Sequence, residues 1–209
     1  MINVLELHEE FKHAPFDTFD TLKADNYLKD KHVFRYRAYN ICAIDNHKLN
    51  WNSDSYFLQS EKLNSYAGGV TRKFDSLSTE CKKYIELIIY QLINSSVIPD
   101  NNYKIGCHQI RILSTDDFNG YPAPEGFHQD GFDYVAIHCV SLNNVNGAIS
   151  IVRPLVDKNN LKEHILMPGQ IMVLDDREVE HYITPITPKL PGSAYRDIFV
   201  ITFSKIKDQ

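Results

Sequence analysis

From Tyr103 onward the chain is a series of short apolar or alternating runs broken by turn residues, and this texture narrows the fold more than any other feature. Lys104–Leu113 reads as a strand, followed by the turn-rich stretch Asp116–Glu125. Phe132–Leu142 is a second strand, Asn143–Gly147 a tight turn, and Ala148–Val152 a strand expected to pair back on it. Ile165–Met167 and Gln170–Leu174 flank the Pro168-Gly169 turn, Asp175–Glu178 turns into Val179–Ile183, and Asp197–Phe203 is the last strand. β-branched and aromatic residues with a period of two suit a pleated, half-buried surface. Short strands at such intervals close into a sandwich or a barrel.

The first hundred residues read differently. Residues 1–30 are expected to be helical, with Phe16, Phe19, Leu22 and Leu28 as the apolar side. Val33–Ile44 alternates as a strand that puts Arg35 and Arg37 on one face. Asn50–Phe74 is a polar loop with Gly68-Gly69, within which Tyr56–Gln59 and Gly69–Arg72 can pair; a segment of that length suits a lid over a binding cavity. Ser78–Ile93 is the clearest helix, with Cys81, Tyr84, Ile85, Ile88 and Leu92 on one stripe, Ser78 as N-cap and Pro99 beyond its end. The expectation is an α+β chain, mainly β with N-terminal helices. Residues 1–100 form a helical support and lid, and residues 101–209 a double-stranded β-helix of jelly-roll or cupin type. A length of 209 residues suits a single domain over 1–209.

Composition excludes some partners. Lys and Arg number 22 against 27 acids, with no basic run, so nucleic acid is not expected as a partner. No apolar run approaches the roughly 18 residues of a membrane span, and the start lacks a signal-peptide pattern. A cytoplasmic protein with no membrane partner follows as the expectation. The scattered Cys42, Cys81, Cys107 and Cys139 read as buried free thiols.

Chemistry concentrates at His128 and Asp130. On an extended chain residues two apart look the same way, so an imidazole and a carboxylate share a face there. His181, on a later strand, is the candidate third ligand. Two His and one carboxylate leave adjacent open positions on a metal, the arrangement of non-haem Fe(II) oxygenases. The pattern H-x-[DE] is expected about once by chance in such a composition, and His8-Glu9-Glu10 is a second instance. Gly126 and Gly131 around the first, and the apolar run after it, set it apart. His164, in a polar loop, competes for the third position, whereas His108 and His138 lie within strands and read as core or rim residues able to orient a ligand from behind. Arg196 opens the last strand and can fork onto a carboxylate. A metal with open sites and a buried Arg suits a dicarboxylate keto-acid, chelating at one end and anchored at the other. Two other readings stay open: zinc in the same site of a hydrolase or isomerase, and a non-catalytic jelly-roll binding module.

Pro124–Asp133, then Gly169–Asp176 ahead of His181, then Tyr195–Phe203, resemble the Fe(II)/2-oxoglutarate-dependent dioxygenase family typified by bacterial L-isoleucine hydroxylase. Arg35-Tyr-Arg37, Gln59-Ser60, Gly68-Gly69 with Arg72, and Gln109-Ile-Arg111 look like that family too. The resemblance implies Fe(II) on His128, Asp130 and His181, 2-oxoglutarate with its far carboxylate on Arg196, and O2 as the other co-substrate. It also implies hydroxylation of an unactivated C–H in a free, aliphatic L-amino acid or similar small metabolite. Arg111 or Arg35 is then the candidate for the substrate carboxylate, and Glu125 or Asp133 for its ammonium. One departure is visible: Ser141–Ala148 stands where the family carries an Arg-x-Asn element and paired glycines. Nothing in the sequence separates a monomer from a homodimer.

Overall fold

In the computed structural model, which describes residues 2–53, 55–59 and 68–206, the chain runs as follows. First come β1 (Ile2–Glu6), α1 (His8–Phe11), a 3-10 turn (Phe16–Thr21), β2 (Arg35–Asp45), β3 (Lys48–Trp51), β4 (Tyr56–Phe57), β5 (Arg72–Lys73) and α2 (Thr79–Asn94). Then follow β6 (Tyr103–Ser114), β7 (Tyr134–Asn143), β8 (Val145–Gly147), β9 (Ile149–Pro154), β10 (Lys162–Ile165), β11 (Gln170–Asp175), β12 (Val179–Ile183), β13 (Ile186–Pro188) and β14 (Ala194–Lys205). A seven-stranded sheet has the order β1-β11-β7-β14-β6-β2-β3; β10-β9-β12 and β13-β8 make up the opposing face, and β4 pairs with β5. The result is a jelly roll.

Alternation assigns the two faces of the large sheet. On β7, Val135, Ile137 and Cys139 join Ile110, Ile112, Met172, Leu174 and Ile198 in the core shared with the opposing strands. Ala136 and Val140, with Ile105, Cys107, Phe199, Ile201 and Phe203, pack instead into the core that holds α2. That helix starts where the Ser78 hydroxyl accepts the Cys81 N–H at 3.1 Å, and its stripe of Cys81, Tyr84, Ile85, Ile88 and Leu92 is buried. Each such Ile contributes about 1.5–3 kcal/mol by leaving water. The four cysteines are free and buried. Among the described residues no helix is long and apolar enough to cross a membrane.

Two expectations need correcting. Residues 1–30 are not one helical support, because Ile2–Glu6 pairs with Gln170–Leu174 as an edge strand, and only α1 and the 3-10 turn are helical before Arg35. Strand pairing overrides a five-residue propensity, as is usual for short segments. Nor does Ala148–Val152 return onto β7. Asn144, Gly147 and Ala148 all have positive φ and steer the chain out of the large sheet, so β9 pairs with β10 and β12. Gly147 has to be glycine here, since a Cβ would lie 2.1 Å from the Pro185 carbonyl oxygen. The expected lid over Asn50–Phe74 is covered only in part: β4 and β5 pair as anticipated, whereas residues 54 and 60–67 lie outside the described residues.

A buried histidine makes stability depend on pH. The His138 Nδ1–H donates to the Gln170 carbonyl at 3.0 Å, which leaves Nε2 to accept the Tyr84 hydroxyl at 2.7 Å. Burial lowers its pKa from 6.5 to about 4. The fold therefore favours the neutral ring: this contribution is complete above pH 6.5 and fades as pH falls toward 4. Between pH 7 and 5 the parent is expected to lose on the order of 2 kcal/mol more stability than His138→Gln. Urea midpoints of both proteins at the two pH values check this, and equal losses would exclude His138 as the source.

Candidate metal centre

His128 and His181 are joined through their backbones before any metal is considered. Each donates its N–H to the other's carbonyl, at 3.1 and 2.9 Å, in an isolated antiparallel bridge between β12 and the loop preceding β7. In such a hydrogen-bonded pair the side chains project to the same side, and the two imidazole centroids are 4.3 Å apart. Asp130 completes the cluster. Its Oδ1 is 3.7 Å from His128 Nε2 and its Oδ2 3.6 Å from His181 Nε2, and the three potential ligand atoms lie within 4.8 Å of one another. Asp130 does not sit on a strand, as its spacing from His128 suggested, but in the loop 129–133.

The tautomers suit a metal. The His128 Nδ1–H donates to the Gly126 carbonyl at 2.8 Å, so the Nε2 lone pair faces Asp130. Burial, and then neighbouring His128, lower the His181 pKa to about 4, keeping that ring neutral and able to coordinate. For His128 burial works against the cation, but Asp130, Glu125, the Gly126 carbonyl and Asp176 together outweigh it and raise its pKa. Two imidazole nitrogens and a carboxylate on one side, with the cavity on the other, could hold a divalent transition metal with its remaining positions open.

Asp176 organises this cluster from behind. Its carboxylate accepts the consecutive N–H groups of Asp130, Gly131 and Phe132 at 3.1, 2.6 and 3.0 Å. Its Oδ1 also lies 4.0 Å from His181 Nδ1, a buried atom with no hydrogen bond among the described residues. Burial and the nearby Asp130 raise the Asp176 pKa to about 6, against the pull of the three N–H groups. From the loop side, Gln59 Nε2 donates to the Asp130 carbonyl and Oδ1 at 3.1 and 3.3 Å. Asp176→Asn turns one acceptor into a donor, and the expected effect is a roughly 10–100-fold loss of Fe(II) affinity. Competition against a calibrated chelator measures it; an unchanged affinity would leave Asp176 a structural turn residue only.

A cavity opens from the metal cluster toward the large sheet, and four of its lining residues are arginines: Arg35, Arg37, Arg72 and Arg196. Arg196 shares the inward face of β14 with Ile198 and Val200, is fully buried, and has none of its three guanidinium nitrogens hydrogen-bonded among the described residues. Burial lowers its pKa. An uncompensated guanidinium in such a place costs several kcal/mol, so the position suits an anion brought by a ligand. Two rows of the sheet fix the opposite wall. Arg35 stands beside Ile112, which stands beside Arg196, and Arg37 likewise pairs with Ile110 and that with Ile198. The β2 arginines are thus two strand spacings, roughly 10 Å, from Arg196.

At that wall Arg35 Nε meets the buried Asp25 at 2.8 Å. Arg37 Nη2 donates to His108 Nδ1 at 2.8 Å, and its guanidinium packs over Phe57 and Phe74. Burial, then Arg35 and Arg72, bring the Arg37 pKa down to about 9. Burial, then Arg37, Arg72 and Arg35, lower the His108 pKa and hold its ring neutral. Arg72 lies 4.7 Å above the Phe57 ring, 2% exposed, with Nε and Nη2 unpartnered among the described residues. Glu125 faces the cavity from the metal side, its Oε1 3.4 Å from His128 Nε2.

The structure thus gathers His128, Asp130, His181, Arg196, Arg35 and Glu125 around one cavity, but not Arg111 or Asp133. On β6, Ile110 and Ile112 face inward, so Arg111 points to the opposite side. There it forks onto its cross-strand neighbour Asp197 at 2.7 and 2.8 Å and reaches Asp20 at 2.6 Å. Asp133 turns to the end of β14, accepting the Lys205 N–H at 2.8 Å and facing Arg177 at 3.3 Å. His164, on β10, is hydrogen-bonded to Gln170 of β11, and His138 belongs to the α2 side. Sequence reasoning passed over Asp176, which reads as an ordinary turn aspartate, and gave Arg72 no role of its own because no periodicity orients its segment.

The 2OG-Fe dioxygenase family model matches residues 17–202. The chain is 27% identical to an L-isoleucine-4-hydroxylase from Bacillus thuringiensis over 161 residues, 73% of this chain and 66% of that protein, just under two thirds of its length. A solved BsmA homologue from Methylobium petroleophilum superposes with a TM-score of 0.81 at 26% identity, over 100% of this chain and 90% of that one. IDO from Bacillus thuringiensis gives 0.77 at 21% identity, over 99% and 94%. With nearly its whole length matched, and a His/Asp/His cluster beside an unpartnered buried arginine, the chain belongs to the 2OG-Fe dioxygenase family, oxidoreductases that use Fe(II), 2-oxoglutarate and O2.

Proposed function

We propose that this protein hydroxylates an unactivated C–H bond of a free amino acid or similar small metabolite, converting 2-oxoglutarate to succinate. The observation that carries this reading is the fully buried Arg196, without a hydrogen-bond partner among the described residues, in the same cavity as His128, Asp130 and His181. Those three residues hold Fe(II) through Nε2, Oδ and Nε2, and Arg196 takes the far carboxylate of 2-oxoglutarate by charge-assisted hydrogen bonds. Iron, 2-oxoglutarate and O2 supply the oxidation, one oxygen entering the C–H bond and the other leaving in succinate, with release of CO2. The chain's own contribution is orientation and dryness. The backbone bridge fixes the two imidazoles, Asp176 fixes the carboxylate loop, and Ile110, Ile112, Ile137, Ile198 and Val200 keep the wall beside Arg196 apolar. In a zinc hydrolase built on the same cluster Arg196 would bind substrate or nothing. The buried thiols suit a reducing compartment, and we place the protein in the cytoplasm.

The test is succinate formation with Fe(II), ascorbate and air across the free amino acids. Succinate that rises with one of them, alongside a product heavier by one oxygen, is the expected result. No succinate from iron-loaded protein would favour the hydrolase, and no metal binding at all would favour a binding module.

A further inference from the structure

On the reading that Arg196 is taken up by 2-oxoglutarate, the cavity still holds one guanidinium without an acceptor. Arg35 Nε is spent on the buried Asp25 at 2.8 Å. Arg37 gives Nε and Nη2 to His108 Nδ1, at 3.2 and 2.8 Å, and packs over Phe57 and Phe74. Arg72 lines the same cavity, is 2% exposed, and has no hydrogen-bond partner for Nε or Nη2 among the described residues. Asp25 and Glu125 act on it only from a distance. They hold its pKa up against burial and Arg35, but neither carboxylate comes within 4.0 Å of it, and Asp25 is occupied by Arg35 and the Tyr27 N–H. The other buried side-chain nitrogens without a partner, those of Arg196 and His181 Nδ1, belong to the centre already described. A buried guanidinium in this state is costly unless a ligand brings the acceptor.

The open edge has the right shape. Nε and Nη2 form the side of the guanidinium with which Arg111 grips both oxygens of Asp197, a fork that matches a planar carboxylate. The edge is also held in place. Arg72 stands opposite Phe57 in the β4–β5 pair, its guanidinium 4.7 Å from that ring. Just beyond Phe57, Gln59 donates to the Asp130 carbonyl and Oδ1, so the arm that carries Arg72 is fastened to the metal cluster. Glu125 faces the same cavity, its Oε1 3.4 Å from His128 Nε2. An imidazole that coordinates through Nε2 has no proton there to give, which leaves Glu125 in want of a donor. A cation and an anion in one cavity, not paired with each other, match the two ends of a zwitterion. We propose that Arg72 receives the substrate's carboxylate through Nε and Nη2 and Glu125 its ammonium, so that the substrate is an α-amino acid with both ends unblocked.

The experiment is anaerobic calorimetry on the intact protein, loaded with Fe(II) and then 2-oxoglutarate. The proteinogenic amino acids are titrated one by one, and the tightest is compared with its own amide and with the acid that lacks its amino group. The parent is expected to bind the amino acid at least about thirtyfold more tightly than either analogue. In Arg72→Met the amino acid and its amide are expected to bind within about threefold of each other, with 2-oxoglutarate affinity within about twofold of the parent. Glu125→Gln is expected to narrow the gap to the acid without the amino group and to leave the gap to the amide. A merely structural Arg72 would weaken all three ligands alike, and that result would overturn the assignment. So would an amide that binds the parent as well as the amino acid does, or the binding of no amino acid; in each of these cases iron and 2-oxoglutarate still bind and the family chemistry stands. A failure to bind iron or 2-oxoglutarate would overturn the proposed function and this inference with it. The parent's ranking of the three ligands decides the matter even if Arg72→Met does not fold, and Arg72→Lys, which keeps the charge and loses the fork, is expected to retain part of the preference.

Discussion

His181→Ala protein is expected to fold and to retain no stoichiometric Fe(II). The backbone bridge to His128 uses the N–H and C=O of residue 181, which alanine also carries, so the loop stays docked on β12. What disappears is the Nε2 that stands 3.6 Å from Asp130 Oδ2, and the two remaining ligands offer one imidazole and one carboxylate. The loss of a buried side chain costs about 1–3 kcal/mol of stability, softened because the unsatisfied Nδ1 also goes. Iron content after dialysis, with a circular dichroism melt on the same sample, checks both halves. Iron at the parent's level in the variant would remove His181 from the ligand set.

Arg196→Met carries a prediction with two signs. The variant is expected to bind 2-oxoglutarate about two orders of magnitude more weakly, or worse, because a buried charge-assisted pair loses one partner. Fe(II) affinity is expected to change little, since Arg196 is not among the three residues that could hold the ion. Stability without ligands moves the other way. In the free protein Arg196 is fully buried and, among the described residues, has no hydrogen bond to any of its guanidinium nitrogens, and replacing such a charge with a packed apolar chain stabilises by roughly 1–4 kcal/mol. A variant that melts higher and binds the keto-acid far more weakly would mark Arg196 as a site kept for function at the expense of stability. Unchanged 2-oxoglutarate affinity would refute its assigned role.

The sequence was most readable where one face of an element is buried and the other is not. α2 announced its stripe from Cys81 to Leu92, and β6, β7 and β14 alternate cleanly enough to be placed before any coordinates. The same parity on β6 separates Arg111 from Ile110 and Ile112 and turns it away from the cavity, onto Asp197. β1 was missed because a five-residue strand on a sheet edge is only half-buried and carries little pattern. The path of β9 was missed because Asn143–Gly147 looks like a hairpin turn, while the close approach of Gly147 to Pro185 that redirects it is a contact between distant segments. His128, Asp130, His181 and Arg196 could be singled out from their chemistry and spacing. Asp176 could not, since an aspartate in a turn explains itself locally. Arg72 stands out only because, among the described residues, its buried Nε and Nη2 have no hydrogen-bond partner, and that is a property of three-dimensional neighbours.

The two-way hydrogen bond between His128 and His181 joins positions about fifty residues apart, and it joins the lead-in to a strand of the large sheet with a strand of the opposing one. Iron held by the two imidazoles would act as a removable cross-link. Closing a loop of this size costs the unfolded chain roughly 4 kcal/mol of entropy, and a metal bound only by the closed form draws the equilibrium toward it in proportion to free iron. Iron supply would then govern how long the protein survives as well as how fast it turns over, and an iron-starved molecule would come apart first along this clasp.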